Sequence, residues 1–217
     1  MSGLIWQTAP QGSAEWLAAR VGVITASRFK DARDKLKNGN PGSRQNAYAF
    51  DLARERVGGK APEVYQNAAM RFGSEQEPVA RMEYEARTGQ LVYEAGFAVT
   101  EDGAFGVSVD GLIGSDGVWE CKTMVSSDTL FTAVVDGDVS AYRDQCIGAL
   151  WLTGRQWVDL VLWAPDLASI GRDMTVIRIE RNQAEIDALE ADLLTFWRRV
   201  QSLEAKLRGQ AELALAA

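Results

Sequence analysis

Two acidic residues and one lysine stand close together in the stretch from residue 104 to 124, AFGVSVDGLIGSDGVWECKTM. Glu120 and Lys122 lie two residues apart on a predicted strand, so their side chains share one face. Asp110 ends the preceding predicted strand and can reach that face across a Gly-rich hairpin. Paired carboxylates form an all-oxygen site for a hard cation, and Mg²⁺ takes only one or two of them from the protein. With a lysine beside it, such a cation can activate water against a phosphodiester.

The same three residues also have an ordinary structural interpretation. Asp-Gly, at Asp110 and Gly111, is a common turn dipeptide, and Glu-x-Lys on a strand is often a solvated face. Taken alone, the trio leaves both a metal-dependent nuclease and a plain hairpin open.

Composition limits the other kinds of chemistry. The chain has 217 residues, of which 47% are hydrophobic, which predicts one α/β domain over residues 1–217 with a substantial core. The absence of histidine excludes a His-based triad, a His general base and a His-containing zinc site. Cys121 and Cys146 are too few for a closed zinc site and are expected to be reduced thiols. There is no apolar run of about 18 residues and no signal peptide, so we expect a cytoplasmic protein without membrane contact.

The charge is unevenly distributed along the chain. The net charge is −7, yet Trp16 to Lys60 holds ten Lys or Arg against four Asp or Glu, a local +6 that leaves −13 for the remainder. Basic charge gathered in one segment is typical of phosphate contacts. A solvated helical surface would give the same count, so this alternative stays open.

The order of predicted elements alternates between helices and strands. An irregular arm is expected over residues 1–12, and Ser13 can cap a short helix that ends at Arg20. A further helix should start at Thr25 or Ser27, where free N–H groups could hold a phosphate together with Arg20, or where the hydroxyls could simply act as caps. The other predicted helices cover 44–57, 67–88, 126–135, 140–152 and 183–207, and the predicted strands cover 91–100, 105–109, 117–122, 156–163 and 174–180.

Two segments of this pattern make specific predictions. Pro78 is disfavoured inside a helix, so a new helix or a kink should begin near Glu77, whose carboxylate could face Asp110 and Glu120 or simply favour the helix start. The C-terminal helix carries a heptad seam of apolar residues, namely Ile186, Leu189, Leu193, Phe196, Val200, Leu203 and Leu207. This seam predicts packing on the helix's own domain, with an oligomer interface as the alternative. A loop through Pro62 and a frayed tail over 211–217 complete the pattern.

Five motifs in order resemble the lambda-type exonucleases, viral recombination nucleases of the restriction-endonuclease-like superfamily. The motifs are Gly-Val-Ile-Thr-Ala-Ser at 22–27, Phe-Gly-x-x-x-Glu-Pro at 72–78, Ser-Val-Asp-Gly at 108–111, Glu-Cys-Lys at 120–122 and Gln-x5-Trp-Leu-Thr-Gly at 145–154. The resemblance spans roughly residues 13–165 and implies an α/β fold with a central mixed sheet flanked by helices. Val109 stands where the superfamily has proline, a position that supplies no ligand.

The resemblance also implies roles for individual residues. Asp110 and Glu120 would bind Mg²⁺, for which Mn²⁺ is a possible substitute, and the backbone carbonyl of Cys121 would lie near the metal. Lys122 would position the attacking water, and Glu77 would assist at the metal or the water. The residues expected to grip the terminal 5′-phosphate are Arg20, Ser27, Ser108 and Gln145.

The family's activity gives the functional expectation. Its members degrade one strand of double-stranded DNA from the 5′ end to mononucleotides, without ATP, and leave a 3′ overhang for a single-strand annealing protein. They form homotrimer rings that thread the duplex. Two other functions stay open for this chain: an endonuclease on the same fold, and a non-catalytic DNA-binding scaffold for recombination.

Overall fold

The computed structural model describes residues 3–60 and 67–209 of the chain. The strands are β1 Leu4–Gln7, β2 Ile24–Thr25, β3 Val92–Tyr93, β4 Phe97–Thr100, β5 Phe105–Ser108, β6 Gly111–Ile113, β7 Gly117–Thr123, β8 Trp157–Trp163 and β9 Met174–Glu180. The α-helices are α1 Ala14–Ala19, α2 Phe29–Ala32, α3 Ser43–Gly58, α4 Ala68–Thr88, α5 Ser127–Leu130, α6 Ser140–Thr153 and α7 Gln183–Leu207. Short 3₁₀ helices cover Ala26–Arg28 and Pro165–Ile170, and a π-helix covers Phe131–Val135. The loop predicted through Pro62 and the tail predicted over 211–217 lie outside the described residues.

The described residues group into two compact units, each built from segments that are not consecutive in the sequence. The first unit takes residues 3–60, 96–108 and 182–209, and the second takes 67–95 and 109–181. Neither unit is a continuous piece of the sequence. The single domain expected over 1–217 stays a prediction.

The first unit joins a mixed sheet to a helical pair. Its strands follow the order β1-β4-β5-β2, with β2 parallel to β5 and the other pairs antiparallel. Helices α3 and α7 pack together through buried apolar faces, and the rings of Tyr48 and Phe196 stack with their centroids 5.4 Å apart. Five residues of the predicted heptad seam are buried in this unit, whereas Leu207 is 58% exposed. The seam of α7 therefore serves packing within its own chain, as the spacing predicts.

The second unit is built on a five-stranded mixed sheet. Its order is β3-β6-β7-β8-β9, with β7 and β8 parallel and the other pairs antiparallel. One face of the sheet carries an apolar cluster with helix α4, made of Ala80, Tyr84, Val92, Ile113, Trp119, Cys121, Val161 and Trp163. The opposite face of β7 and β8 meets α6, whose residues Cys146 to Leu152 are buried. Because side chains alternate along β7, Glu120 and Lys122 lie on the face toward α6.

Three predictions about strands are corrected by the structure. The segment expected to be an irregular arm contains β1, whose residues Leu4 to Gln7 pair with β4. The segment 105–109 is not the hairpin partner of 117–122, since β5 pairs with β4 and β2 in the first unit. The partner of β7 is β6, and the turn of this hairpin lies at residues 114–116. The strand predicted over 91–100 is divided into β3 and β4, which belong to different sheets.

Of the two alternatives predicted near Glu77, a new helix is wrong, and a kink stays a prediction. Helix α4 is assigned continuously from Ala68 to Thr88, begins at an Asn67 cap and contains Pro78 in its interior. The side chain of Pro78 is exposed, as is Ser74, whose carbonyl loses the usual i+4 hydrogen bond, so water can satisfy the freed oxygen. Glu77 is therefore a mid-helix residue. Its position on the sheet side of α4, rather than a helix dipole, determines its surroundings.

The remaining helices agree with their predicted ranges. Ser13 caps α1, Ser126 caps α5, and Gly59 and Gly154 end α3 and α6 in the left-handed conformation that glycine favours. The predicted α/β fold with mixed sheets flanked by helices is confirmed. In the described part of the chain, no helix combines the length and apolarity needed to cross a bilayer.

Candidate active site

The register of one hairpin brings the two predicted metal-binding carboxylates together. In the β6–β7 pair, Gly111 lies opposite Trp119 and Leu112 lies opposite Val118. One step further along this register, Asp110 lies opposite Glu120, and directly opposite residues present their side chains on one face. Gly111 is needed here because an added Cβ would lie 2.2 Å from Cγ1 of Val92. The Asp-Gly dipeptide is thus the entry to a strand and not a turn.

Arg155 fixes the other end of the same hairpin. Its Nη1 donates to the carbonyl oxygens of Gly117 at 2.7 Å and of Gly114 at 3.0 Å. These carbonyls flank the turn, so the guanidinium replaces main-chain partners that a tight turn cannot supply. The hairpin that carries Asp110 and Glu120 is consequently held at both ends.

Asp110 contacts the main chain of β7. Its Oδ2 accepts a hydrogen bond from the Cys121 N–H at 2.9 Å. The N–H and C=O of one strand residue point to the same side of the strand, as they do in a hydrogen-bonded antiparallel pair. The carbonyl of Cys121 therefore faces the side of β7 on which Asp110 lies. The Cys121 side chain points to the other face, into the apolar cluster with α4.

Glu120 is the most enclosed member of the site. It is 1% exposed, and its Oε1 lies 2.6 Å from Nζ of Lys122. The Gln145 amide, which α6 brings over the sheet, donates to the same oxygen. Both groups that hold this carboxylate come from the face toward α6, so Glu120 has one fixed orientation.

Burial and the neighbouring charges shift the pKa values of the ionisable groups in this cluster. Burial raises the pKa of Glu120 to about 8, and the Asp110 charge adds to this effect while Lys122 opposes it. Burial also raises the pKa of Asp110, against the Lys122 charge and the Cys121 N–H. For Lys122, burial lowers the pKa, but the negative charges of Glu120 and Asp110 outweigh it and raise the pKa overall. Lys122 is therefore an ammonium at neutral pH.

Glu77 joins the same electrostatic cluster from α4. Burial raises its pKa to about 7, and the nearby Asp110 charge contributes in the same direction. Three carboxyl groups therefore surround a single ammonium, that of Lys122. A hard cation would relieve this excess of buried negative charge.

The oxygen donors fit a cation that keeps part of its water shell. Asp110, Glu120 and the Cys121 carbonyl offer only oxygen atoms, which suits Mg²⁺ or Mn²⁺ rather than a soft metal. Among the residues that the structure describes, no group of three or more acidic or cysteine side chains is arranged to enclose an ion.

The first unit holds a different kind of polar group, centred on Arg20. The Arg20 guanidinium lies over the Trp16 ring at 4.2 Å and the Phe97 ring at 5.1 Å, and its Nη1 donates to Oγ of Ser108 at 2.9 Å. Within residues 3–60 and 67–209, no acidic side chain forms an ion pair with Arg20. Burial lowers the pKa of Arg20, but arginine stays charged. A half-buried cation held by two rings and a hydroxyl is suited to an anion.

The structure brings Ser108 to Arg20 but gives Ser27 a different neighbour. Ser27 is exposed, and its hydroxyl lies 3.4 Å from Oγ1 of Thr25. The expectation that Thr25 or Ser27 caps a helix is wrong, because the 3₁₀ turn at Ala26–Arg28 has no side-chain cap and α2 begins only at Phe29. The N–H of Thr25 is instead bound by the Tyr48 hydroxyl at 3.0 Å. Gln145 belongs to the second unit, at Glu120.

Much of the basic charge between Trp16 and Lys60 is neutralised inside the first unit. Six of its ten basic residues form ion pairs: Arg28, Arg33, Lys35, Arg44, Arg54 and Arg56. Asp192 of α7, for example, accepts from both Arg33 and Lys35. The net count of +6 already includes Asp31, Asp34 and Asp51, so Asp192 and Glu204, from outside the segment, lower it to +4.

Arg81 is a cation close to the site that was not among the predicted site residues. Arg81 lies four residues after Glu77 on α4, and its positive charge lowers the pKa of that carboxyl, against the larger effects of burial and Asp110. The spacing of four along a helix was the available signal, since such residues are neighbours on one face. Without the pairing of β3 with β6, nothing in the sequence separates Arg81 from the other arginines of α4.

The solved structures similar to this chain include exonucleases. The chain is 32% identical to an alkaline exonuclease, LHK-Exo, from Laribacter hongkongensis, with 93% of this chain and 100% of that one covered and a TM-score of 0.79. The structure of LHK-Exo in complex with dAMP matches with 33% identity, the same coverage and a TM-score of 0.81. A phage-related exonuclease from Haemophilus somnus 129PT shares the fold at 17% identity, with 85% and 96% of the two chains covered and a TM-score of 0.66.

Sequence comparison gives the family directly. No curated protein matches the chain. Residues 15–156 match the YqaJ-like viral recombinase domain, a range that contains every candidate site residue. The resemblance to viral recombination nucleases found in the motifs is confirmed by these matches. From this match and the similarity to LHK-Exo, we conclude that the chain belongs to the YqaJ-like viral recombinase family.

Proposed function

We propose that this protein is a Mg²⁺-dependent 5′-to-3′ exonuclease that degrades one strand of double-stranded DNA to mononucleotides. The observation that carries the proposal is the hydrogen bond from the Cys121 N–H to Asp110 at 2.9 Å, beside Glu120, with Lys122 bonded to Glu120 at 2.6 Å. The similarity to alkaline exonucleases at 32% identity supports the same activity. The dAMP bound by LHK-Exo is a mononucleotide, the kind of product that the proposal requires.

The metal site consists of Asp110, Glu120 and the Cys121 carbonyl. When bound, Mg²⁺ supplies Lewis-acid chemistry at a phosphate oxygen and a more acidic water, and Mn²⁺ can replace it. Lys122, an ammonium because of its raised pKa, donates hydrogen bonds to the attacking water or to the charged phosphate oxygens. Glu77, with its pKa near 7, accepts the proton that the water loses. The water oxygen bonds to phosphorus as the P–O3′ bond breaks, and the leaving O3′ takes a proton from solvent.

Cleavage of the P–O3′ bond explains how digestion can continue from the same end. The released nucleotide carries a 5′-phosphate and a 3′-hydroxyl, and the shortened strand again ends in a 5′-phosphate. We place that terminal phosphate at Arg20, with Ser27 and Ser108 as the other contacts. Support comes from the Arg20–Ser108 hydrogen bond and from the absence, within the described residues, of an acidic partner for Arg20. The phosphate contact expected for Gln145 stays a prediction, and its amide donates to Glu120 in the second unit.

The proposed product sets the biological context. A 3′ single-stranded overhang is a substrate for a single-strand annealing protein, which fits a member of a viral recombinase family acting in the bacterial or phage-infected cytoplasm. We further propose that the protein forms a homotrimer ring around the duplex. Light scattering should then report about three times the chain mass of 23.8 kDa, and a monomer would contradict the ring.

Digestion of defined DNA ends tests the function. A linear duplex labelled on one strand, at each end in turn, is incubated with Mg²⁺ without ATP, beside a covalently closed circle. Mononucleotides released only from 5′ ends, with the circle intact, would support the proposal. Nicking of the circle would favour the endonuclease alternative, and tight binding without cleavage would favour the scaffold.

Matched variants locate the chemistry. Asp110→Asn and Glu120→Gln should abolish cleavage, whereas Asp116→Asn should not, because Asp116 is an exposed acid on the turn of the same hairpin. Arg20→Gln should remove the preference for 5′-phosphate over 5′-hydroxyl ends, and Lys30→Gln, at an exposed position in the first unit, should preserve it. Full activity of Asp110→Asn would disprove the metal site.

A further inference from the structure

The strand pairing places a second acidic residue beside the hairpin that carries Asp110. In the β3–β6 pair, Val92 lies opposite Ile113 and Tyr93 lies opposite Leu112. Extending this register by one residue sets Glu94 opposite Gly111, the neighbour of Asp110. Val92 belongs to the apolar cluster on the α4 face, and Glu94, two residues later, points toward the same helix.

Arg81 of α4 meets Glu94 at this position. Its Nη1 lies 2.8 Å from Oε1 of Glu94, and the side chains are 28% and 78% exposed, respectively. Glu77 lies one helical turn before Arg81 on the same face, and the Arg81 charge acts on the Glu77 carboxyl. The guanidinium is therefore fixed at the rim of the candidate metal site by a partner that is itself largely in water.

A second arginine of α4 shows what a structural pair looks like in this unit. Arg87 donates to Asp173, whose side chain is 9% exposed, at 2.7 Å and also to Glu83 at 2.9 Å. Those contacts raise its pKa, with the Asp173 hydrogen bond contributing most. Among the described residues, Glu94 is the acid with which Arg81 forms an ion pair. Arg87 is tied to a buried acid, and Arg81 is not.

The Arg81–Glu94 pair is weak enough to be exchanged for a stronger one. An ion pair with one partner mostly in water contributes little to stability. The guanidinium fork matches phosphate oxygens in bidentate geometry, and charge-assisted bonds of that kind are the stronger ones. A phosphate that arrives at the metal site would thus find a cation whose present partner can swing into solvent.

We propose that Arg81 binds a backbone phosphate of the substrate strand at the metal site, and that Glu94 occupies the place of this phosphate in the free protein. This inference rests on the proposed nuclease function, since it requires DNA at Asp110 and Glu120. Arg81 contacts the substrate directly. Glu94 competes with it, so the free protein holds the cation in position without an unpaired charge.

Binding measured apart from cleavage tests the inference. Duplex DNA with a fluorescent label is titrated in Ca²⁺, and the dissociation constant is followed as the salt concentration rises. Arg81→Gln should weaken binding about tenfold and reduce the slope of log K against log salt by about one. Arg81→Lys should restore the salt slope but only part of the affinity, because it keeps the charge without the fork.

The opposite effect of Glu94→Gln is the sharper test. Loss of the competing carboxylate should tighten binding several-fold, whereas Glu83→Gln, which removes an equal charge from the exposed pair with Arg87, should change it much less. Arg172→Gln, at an exposed position in the same unit, is the control for Arg81→Gln. A duplex with a neutral methylphosphonate at the contacted phosphate should bind the wild type and Arg81→Gln equally.

The outcomes separate this inference from the proposed function. If Arg81→Gln binds DNA like the wild type with the same salt slope, the Arg81 contact is wrong, whatever the cleavage assay shows. If Glu94→Gln weakens binding, Glu94 is not a competitor. If the wild type binds DNA and Arg81→Gln does not, but neither cuts a linear duplex, the phosphate contact stands and the nuclease function falls.

Discussion

Replacing Glu120 by glutamine should make the metal-free protein more stable at alkaline pH, although it should destroy the metal site. In the folded protein burial and the Asp110 charge raise the pKa of Glu120 to about 8. In the unfolded chain a glutamate ionises near pH 4.3. Between these values the folded state holds a proton that the unfolded state has lost, so the contribution of Glu120 to stability falls as pH rises through 8. Glutamine resembles the protonated acid and removes this dependence.

The size of the effect follows from the shift in pKa. A shift from the ordinary range to about 8 corresponds to an upper bound of about 5 kcal/mol, at 1.36 kcal/mol per pKa unit. The variant also loses the ion pair between Glu120 and Lys122, which reduces the gain. We expect a net gain of about 2 kcal/mol near pH 9, or about 4–8 °C in Tm for a chain of this length.

Thermal unfolding followed by circular dichroism in EDTA checks this prediction. Near pH 6 the wild type and Glu120→Gln should unfold within about 2 °C of each other, and near pH 9 the variant should unfold later. Asp116→Asn, on the exposed turn of the hairpin, should follow the wild type at both pH values. Mg²⁺ should raise the Tm of the wild type but not that of Glu120→Gln. A variant that is less stable than the wild type near pH 9 would show that the Lys122 pair outweighs the crowding of carboxylates.

Three further predictions concern the scaffold and the metal. Leu193→Ala should cost about 2–5 kcal/mol in a urea titration because Leu193 is fully buried on α7, whereas Leu207→Ala, at a 58% exposed position, should cost less than about 1 kcal/mol. Burial raises the pKa of Asp192, but hydrogen bonds from Lys35 and Arg33 outweigh it, so the net shift is downward. The stability that this group contributes is present above about pH 4 and lost as pH falls further. In Asp192→Asn, the free energy of unfolding should therefore fall less steeply below pH 4, by less than about 1 kcal/mol. EDTA should stop cleavage, and Mg²⁺ or Mn²⁺ should restore it; activity that persists in EDTA would contradict the metal site.

The sequence predicted the chemistry of the site better than its supporting strands. Glu120 and Lys122 share a face because of the period of two along a strand, which holds whatever the strand pairs with. The partner of β7 is a different matter. Alternation over Phe105 to Val109 looks the same whether that segment pairs with β7 or with β4, so pattern alone could not decide between them. Gly111 marks the point where the chain leaves one sheet for the other.

Helix ends and the C-terminal helix were predictable for a similar reason. Caps at Ser13, Gly59 and Gly154 depend on backbone groups within a few residues, and the seam of α7 is a property of one helix. Pro78 misled the prediction because its cost depends on whether the freed carbonyl is exposed, which sequence does not show. Local signals therefore sufficed where the physical cause was local.

Contacts between distant segments could not be predicted from spacing. Gln145 reaches Glu120 across 25 residues of chain, and no pattern in the sequence indicates that its amide binds a carboxylate rather than a phosphate. Arg81 could be recognised only after β3 was paired with β6 and Glu94 was placed beside Asp110. Likewise, the basic segment looked available to DNA until Arg33 and Lys35 were found bound to Asp192 of α7.

The first unit is built from segments that lie far apart in the sequence, and this determines when it can fold on the ribosome. Helix α3 packs against α7, so a helix that ends at Gly58 must wait for one that begins at Gln183. Until α7 has been translated, the apolar sides of Tyr48 and Leu52 lack its cover and are exposed to chaperones or to other nascent chains. Closing a loop of this length also makes folding slow compared with a bundle of neighbouring helices. A chain truncated before α7 would therefore never complete the unit that carries Arg20.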